Sequence, residues 1–487
     1  MITEYQFGAW LPDRVDFKNP GLEDVRNVIP GVGGYLPVRE FIGTGSSISG
    51  TIIGAASVFL EDASVLVVCA TTTDLHVIRS GTVTASSLSL SLPSTGAVVF
   101  EQFGSSLYAT IKGGDTWVLP DVESSTAFVA SAGSPPSANA MGRVGDFLLM
   151  GDLVDIDASD APYRLRWSRF NNPQGTWDTN LASQSGAIDL DASSGPITAI
   201  TGGTSGLIFQ RQGISRITFT GGANVFRLDE FETNRGCIAR ASAVQVGDRA
   251  YYLAHDGFFV TDGTTPQPVS TGKIWKWFLA TINEGFISSV QGAADYQRRC
   301  IVWSFPAGPT SALTMQVWYN WEVNEWGNAY EAIDWAVEGA QSGLSLEQVA
   351  AIYSNIDTMP ISLDSPEFAA FGRNLLVFKG GELGAFTGNT LEATFTGGDI
   401  HPIPGKNSFV SEVYPLVDAA AAQVKIGARD TMQGSLRESL VSPVGPKGFA
   451  PFNVDAKYYR VSTIIPAGQE WENAFGYQVE ASRSGAT

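Results

Sequence analysis

Short, near-continuous apolar runs recur along the chain in pairs, separated by polar turns rich in Gly, Asp and Thr. SVLVVCATTTDLHVIRSG (64–81) shows the unit: an apolar run, a polar turn, a second run, then a closing Gly. The same order returns at 105–121 (SSLYATIKGGDTWVLPD) and at 145–153 (GDFLLMGDL), the latter with a delayed partner LRWSRF at 165–170. Further copies lie at 205–222, 246–263, 298–305 with 313–323, and 373–389. β-Branched and aromatic residues fill the runs, which favours strands, and long helical periodicity is nearly absent. The pattern predicts an all-β protein.

The spacing of the units predicts the architecture. With Val65, Leu107, Phe147, Leu207, Tyr251, Cys300 and Leu375 as starts, the steps are 42, 40, 60, 44, 49 and 75 residues. Four of the six match the period of a four-stranded propeller blade, about 40–50 residues. The two long steps contain insertions, one with the acidic loop GDLVDIDASDAPY (151–163) and one with residues 328–366. In the second, Ser345 and Gln348 form a capping box ahead of a short helix. Sandwich strands bury one face and alternate, whereas VLVV, FLLM, AYYLA and CIVW suit strands covered on both faces. The expectation is a β-propeller of about seven blades, with six or eight also compatible, over residues 51–400.

After residue 400 the Pro/Gly-rich stretch HPIPGKNSF marks a joint, and the runs beyond it alternate more clearly. Residues 401–487 are therefore expected to form a small antiparallel β-sandwich. Residues 1–50 break repeatedly at Pro and Gly and predict an extended N-terminal arm lying over the body.

Composition narrows the function. The 487 residues are 44% hydrophobic and 16% charged, enough to bury a sizeable core, and the net charge is −19. Affinity for a phosphate backbone comes mainly from Lys and Arg displacing counterions, so a conventional DNA binder is excluded. Cys69, Cys237 and Cys300 are odd in number and far apart, and read as buried free thiols. The N-terminal residues carry no secretory pattern and no apolar run approaches membrane-spanning length, so no membrane insertion is expected.

Candidate chemistry is sparse. His255 beside Asp256, with Asp248 and Asp262 nearby, invites a catalytic reading, but the other hairpins repeat the pattern without the histidine. His76 and His401 are the remaining histidines, and GxSxG and HExxH are absent. PGKNSF and STGK are fragments of a phosphate loop without its leading glycine. Asp152, Asp155, Asp157 and Asp160 suggest calcium, yet Asp160 sits where the helix-loop-helix template needs Gly, and Arg166 where it needs Glu. A solvated acidic loop is the expectation there. Trp318, Trp321 and Trp326 in VWYNWEVNEWG, with Glu322, Glu325 and Asp334 nearby, would suit a sugar platform with paired carboxylates, but such tryptophans more often pack between sheets. We therefore assign no catalytic, cofactor-binding or metal-ligating residue and expect no cofactor.

The order of segments adds a resemblance. DFKNPGLEDVRNVIPGVGGYLPVREF near the start, ITGGTSGLIFQRQGISRITFTGG and NRGCIARASAVQVGDRAYYLAHDGFFVTDG in the middle, YSNIDTMPISLDSPEF and LGAFTGNTLEATFTGGD after them, and YYRVSTIIPAGQEWENAFGYQVEASRSG at the end span nearly the whole chain. In style and order these resemble the tail hub proteins of short-tailed bacteriophages, also called tail nozzle or packaged-DNA stabilisation proteins. The resemblance implies a non-enzymatic virion protein made in the bacterial host cytoplasm. Six copies would form a tube below the portal and its adaptor ring, contact tail fibre, spike or needle proteins, and conduct double-stranded DNA without reading its sequence. The alternative is a propeller-scaffold carbohydrate-binding or glycan-degrading tail component, which would need convergent carboxylates near Glu322, Glu325 and the 151–163 loop.

Overall fold

The computed structural model describes residues 2–17, 19–62, 64–93, 96–222, 224–340 and 373–484. Among the described residues, six four-stranded antiparallel sheets and four strands of a ten-stranded sheet follow one another around a ring as seven blades, and the fold is a β-propeller carrying a β-sandwich. Blades 1 to 5 are continuous in sequence: Ile52–Ala85, Val99–Ala130, Ser137–Asp189, Ile197–Glu232 and Val244–Pro268. Blade 6 spans Gln291–Ala329. Blade 7 is composite, with strands Trp335–Ala340, Arg373–Lys379 and Glu382–Thr390 completed by a strand from the N-terminal arm. The innermost strands of blades 7 and 1 pack together, so the ring closes.

All seven residues that set the sequence period lie in the second strand of a blade. These strands read as continuous apolar runs because neighbouring blades cover both faces. In Phe147–Val154, Leu148 and Met150 pack with Phe103, Tyr108 and Val118 of blade 2. Phe147 and Leu149 on the opposite face pack with Ile208, Ile217 and Phe226 of blade 4. Each such side chain contributes roughly 1.5–3 kcal/mol.

Two insertion boundaries need correction. Asn328 and Ala329 end a blade 6 strand, and Trp335–Ala340 is the innermost strand of blade 7, so 328–340 is blade framework. The Ser345–Gln348 capping box lies outside the described residues. In blade 3 most of the 151–163 segment is hairpin, Phe147–Val154 pairing with Asp160–Trp167. The extra length of that blade lies at 168–185, before its fourth strand. Asp and Ser imitate a long loop there because a tight turn and a bulge both favour them.

The N-terminal arm is extended and stitched into the body. Its strands are β1 (Ile2–Gln6), β2 (Leu22–Arg26), β3 (Val28–Gly31), β4 (Gly34–Pro37) and β5 (Arg39–Ser47). β5 is the outer strand of blade 7, with Phe41 opposite Phe386. β3 meets blade 6 at Asn328, and β4 meets the sandwich at Ala474, so one sheet runs from propeller to sandwich. β1 and β2 pair with Ala474–Arg483 and Ala393–Gly397. The sandwich thus recruits a strand from before the 401–407 joint, which is an internal loop. Strand Tyr458–Ile465 buries alternate residues, and Val410, Val424, Ile426, Tyr459 and Val479 form the core between the sheets.

Candidate functional site

The innermost strands line an axial channel with small residues, among them Ala55, Ala140, Ala199, Ala243 and Ala293. The space along this axis measures about 400 Å³ and is open to solvent. Its polar groups come from separate blades. Gln291 of blade 6 accepts from the Ala336 N–H of blade 7 at 3.1 Å and donates to the carbonyl of the same residue at 2.5 Å. Gln245 of blade 5 accepts from the Gly202 N–H and donates to its carbonyl, both at 3.1 Å. Glu101 of blade 2 has its carboxyl pushed up to about 7 by burial, against the opposing backbone N–H and charge of Arg143.

One end of the channel is crossed by ion pairs. Asp152 sits at a bulge in blade 3 with φ +54°, a conformation costly for a residue other than Gly. Its carboxylate accepts from Lys112 Nζ at 2.5 Å, Asn139 Nδ2 at 2.7 Å and Arg240 at 3.1 Å. Lys112 belongs to blade 2, and Arg240 to the segment entering blade 5. The cluster therefore ties three blades and leaves no free carboxylate for chemistry. Burial acts to lower the Lys112 pKa, but the hydrogen bonds it donates to Asp152 and Asp160 outweigh it and leave the pKa raised. Asp155 is fully buried between Arg164 at 2.9 Å and Arg166 at 2.7 Å. Burial raises its pKa, yet the two guanidinium groups hold it below the ordinary carboxylate value. The solvated-loop expectation is thus corrected for Asp152 and Asp155, whereas Asp157 is exposed on the turn. The local run of acids could not disclose their partners, which are brought in by neighbouring strands and blades.

The other sequence candidates do not converge. His255 is exposed in a blade 5 turn, and the Asp256 carboxylate pairs with Arg235 at 2.8 Å. Asp248 and Asp262 lie at the opposite end of strand Arg249–Ala254, about 20 Å away at 3.4 Å per residue. His76 is buried in blade 1 with neither ring nitrogen hydrogen-bonded, and His401 packs at a tilt against Tyr458 in the sandwich. Among the described residues no group of three or more His, Cys, Asp or Glu is arranged to hold a metal. Cys69, Cys237 and Cys300 are buried free thiols, and burial pushes each pKa up, Cys237 to about 11.

Trp318 and Trp326 face opposite sides of blade 6, one packed toward blade 7 and the other against Trp303 and Phe258 of blades 6 and 5. Trp321 is half-buried against Tyr296. They share no platform. Glu322 pairs with Arg299, and Asp334 accepts from the Gly381 N–H at 2.9 Å. Burial raises the Glu325 pKa against the nearby charge of Lys273. These acids belong to blades 6 and 7, across the ring from the 151–163 hairpin of blade 3.

Sequence reasoning missed Lys112, Asn139, Arg240 and Glu101, because ring closure assembles them from distant segments. The available signal was the small-residue stretches GAAS, ANAM, ASAV and GAAD, which recur just before the apolar runs and mark strands facing a narrow axis.

No family model and no curated protein sequence matches the chain. Among solved structures it is similar to virginiamycin B lyase from Staphylococcus aureus, at 10% identity and TM-score 0.39, covering 71% of this chain and 97% of that one. It is also similar to BBS1N, solved in complex with ARL6DN, at 11% identity and TM-score 0.40, covering 73% and 98%. A third is the extracellular domain of the putative hybrid two component system BT4673 from B. thetaiotaomicron, at 10% identity and TM-score 0.39, with 77% of this chain and 43% of that one covered.

Proposed function

We propose that this chain is a structural protein of a short-tailed phage virion, a tail hub or nozzle. In this reading six copies form a tube below the portal and adaptor, retain packaged DNA and conduct it during ejection. The observation that carries it is the placement of charge on a rigid scaffold. Residues 51–400 hold 35 Asp and Glu against 18 Lys and Arg, while residues 401–487 hold eight of each. The acidic excess therefore lies in residues 51–400, and residues 401–487 are balanced. An acidic wall repels duplex DNA over about a Debye length, roughly 8–10 Å, and lets it slide where a Lys-lined wall would trap it. In this reading the conduit is the space enclosed by the ring of copies and not the axis of a single propeller.

The residues once weighed for catalysis are engaged in packing, turns or ion pairs, which supports a mechanical role. The test is electron microscopy of the purified chain alone and with a portal–adaptor complex. Six-fold rings, or binding only to that complex, support the hub. Oligosaccharide turnover or a saturable sugar-binding isotherm would replace it with the glycan reading.

A further inference from the structure

We propose that the distal tip of the sandwich and the outer wall of blades 3 and 4 are the two halves of one head-to-tail contact between copies of this chain. The proposal deepens the ring reading above and rests on it for closure at six copies.

Two groups of exposed apolar side chains motivate it. The first is on the excursion after strand Gln423–Arg429, where Leu440 is 91% exposed next to the partly exposed Val441, and Met432 is exposed on the turn that precedes Arg437–Glu438. Only the two-residue strands Arg437–Glu438 and Ser442–Pro443 tie this excursion to the sheet. The second is on blades 3 and 4, where Phe170 and Phe219 stand half-exposed, and Leu181, which is 67% exposed, lies on the loop whose Ser183 carbonyl accepts from the Phe170 N–H. Phe170 and Phe219 rest on the buried ring of Phe147, at 5.6 and 5.5 Å between centroids. They are thus held rigidly with one side open to water, the arrangement of an aromatic anchor at a protein contact.

Their positions suit a repeating contact. The sheet order puts β2 and Ala393–Gly397 at one end of the second sandwich sheet and Arg437–Glu438 at the other. Leu22, Val25 and Phe395 of the first end pack into the core shared with blades 5 and 6, so the tip points away from the propeller. The sandwich continues outward from blade 6, and blade 3 lies three blades further round, on the far side of the ring. One apolar group is therefore at each end of the molecule. Joining unlike patches head to tail generates closed rings when the rotation closes.

Charge selects the pairing and the occupant. Propeller against propeller would oppose two strongly acidic bodies, whereas the balanced sandwich meets a neighbour's propeller without that cost. Charges beside both patches are also paired within the chain: Arg437 with Asp430 at 3.1 Å, Lys425 with Glu438 at 2.5 Å, and Arg169 with Asp178 at 3.0 Å. A second copy therefore meets apolar surface rimmed by satisfied charge.

The experiment uses two full-length variants, a tip variant Leu440→Asp and a wall variant carrying Leu181→Asp with Phe170→Ser. Wild type should assemble with concentration in sedimentation velocity, and each variant alone should remain monomeric with an unchanged melting temperature. An equimolar mixture should stop at pairs, because only one tip and one wall remain competent. The proposal is overturned if either variant assembles as wild type does, if the mixture yields only monomers, or if wild type stays monomeric up to its solubility limit. Failure of the hub reading looks different. Rings built through these patches by a chain absent from virions would leave the contact standing, while virions that incorporate both variants normally would remove the contact and keep the hub.

Discussion

Asn27 and Asn328, 301 residues apart in the chain, are joined inside the protein: the Asn328 side-chain oxygen accepts from the Asn27 backbone N–H at 3.3 Å. Asn328 also donates to the Val25 carbonyl at 2.8 Å. Asn27 in turn accepts from the Tyr330 N–H at 2.8 Å and donates to the Glu392 carbonyl at 2.9 Å. These two amides satisfy the backbone where arm, blade 6 and the path into the sandwich meet. Asn328→Ala leaves two buried backbone groups without this partner and should cost roughly 2–6 kcal/mol at about 1–3 per group. Denaturant unfolding of the full chain measures it. A loss under 0.5 kcal/mol would mean that water replaces the amide and the junction is looser than described.

Closure of the ring depends on β5. Removing residues 1–50 takes the fourth strand from blade 7 and two strands from the sandwich. Limited proteolysis should then cut within Arg373–Thr390 well before blades 3 and 4, and the melting transition should broaden. Cleavage at equal rates across all blades would contradict the closing role.

Asp152 and Asp157 separate the structural account of the acidic hairpin from the calcium reading. Asp152→Ala removes the carboxylate partner of Arg240 and one of the two partners of Lys112, which keeps Asp160, and should destabilise by about 1–3 kcal/mol. Asp157→Ala on the exposed turn should change stability by about 0.5 kcal/mol or less. Calcium and chelator should both leave the melting temperature unmoved. A calcium-dependent rise that Asp157→Ala removes would restore the metal loop.

Two groups, Glu101 and His76, give opposite pH dependences. Glu101 is raised from 4.5 to about 7 in the folded protein, so the native state holds the extra proton between those values. Stability from this group falls as pH rises through that window. Glu101→Gln should match wild type below pH 4.5 and exceed it at alkaline pH by on the order of 1 kcal/mol, after allowance for solvent screening. Burial lowers the His76 pKa below 6.5, with Asp74 opposing. There the unfolded chain binds the proton first, and stability falls as pH drops below 6.5. His76→Gln should flatten that acid limb. Melting curves from pH 4 to 9 test both, and identical profiles for wild type and variants would dismiss them.

The parts of the fold legible in the sequence were those whose side chains face protein on both sides. Leu148, Leu149 and Met150 are all apolar because each meets a neighbouring blade. The inner strands were harder to see, since Ala55, Ala140 and Ala293 face a narrow channel and carry little periodic signal. The arm read as non-sheet because Pro30 and Pro37 interrupt it, yet Pro30 lies opposite Tyr35 in a short hairpin that needs few ladder bonds. The Asp152 cluster had no linear trace. Lys112, Asn139 and Arg240 become neighbours only when blades 2, 3 and 5 are set around one axis.

The pairing of the arm with blade 7 also orders events during synthesis. Arg39 and its partner Gly388 are 349 residues apart, so at about 5–20 residues per second the earliest strand on blade 7 waits roughly 17–70 s for its neighbour to leave the ribosome. Until then blades 1 and 6 offer uncovered apolar faces to every other nascent chain nearby. Yield in the cell should therefore track translation speed and chaperone supply more closely than it tracks equilibrium stability.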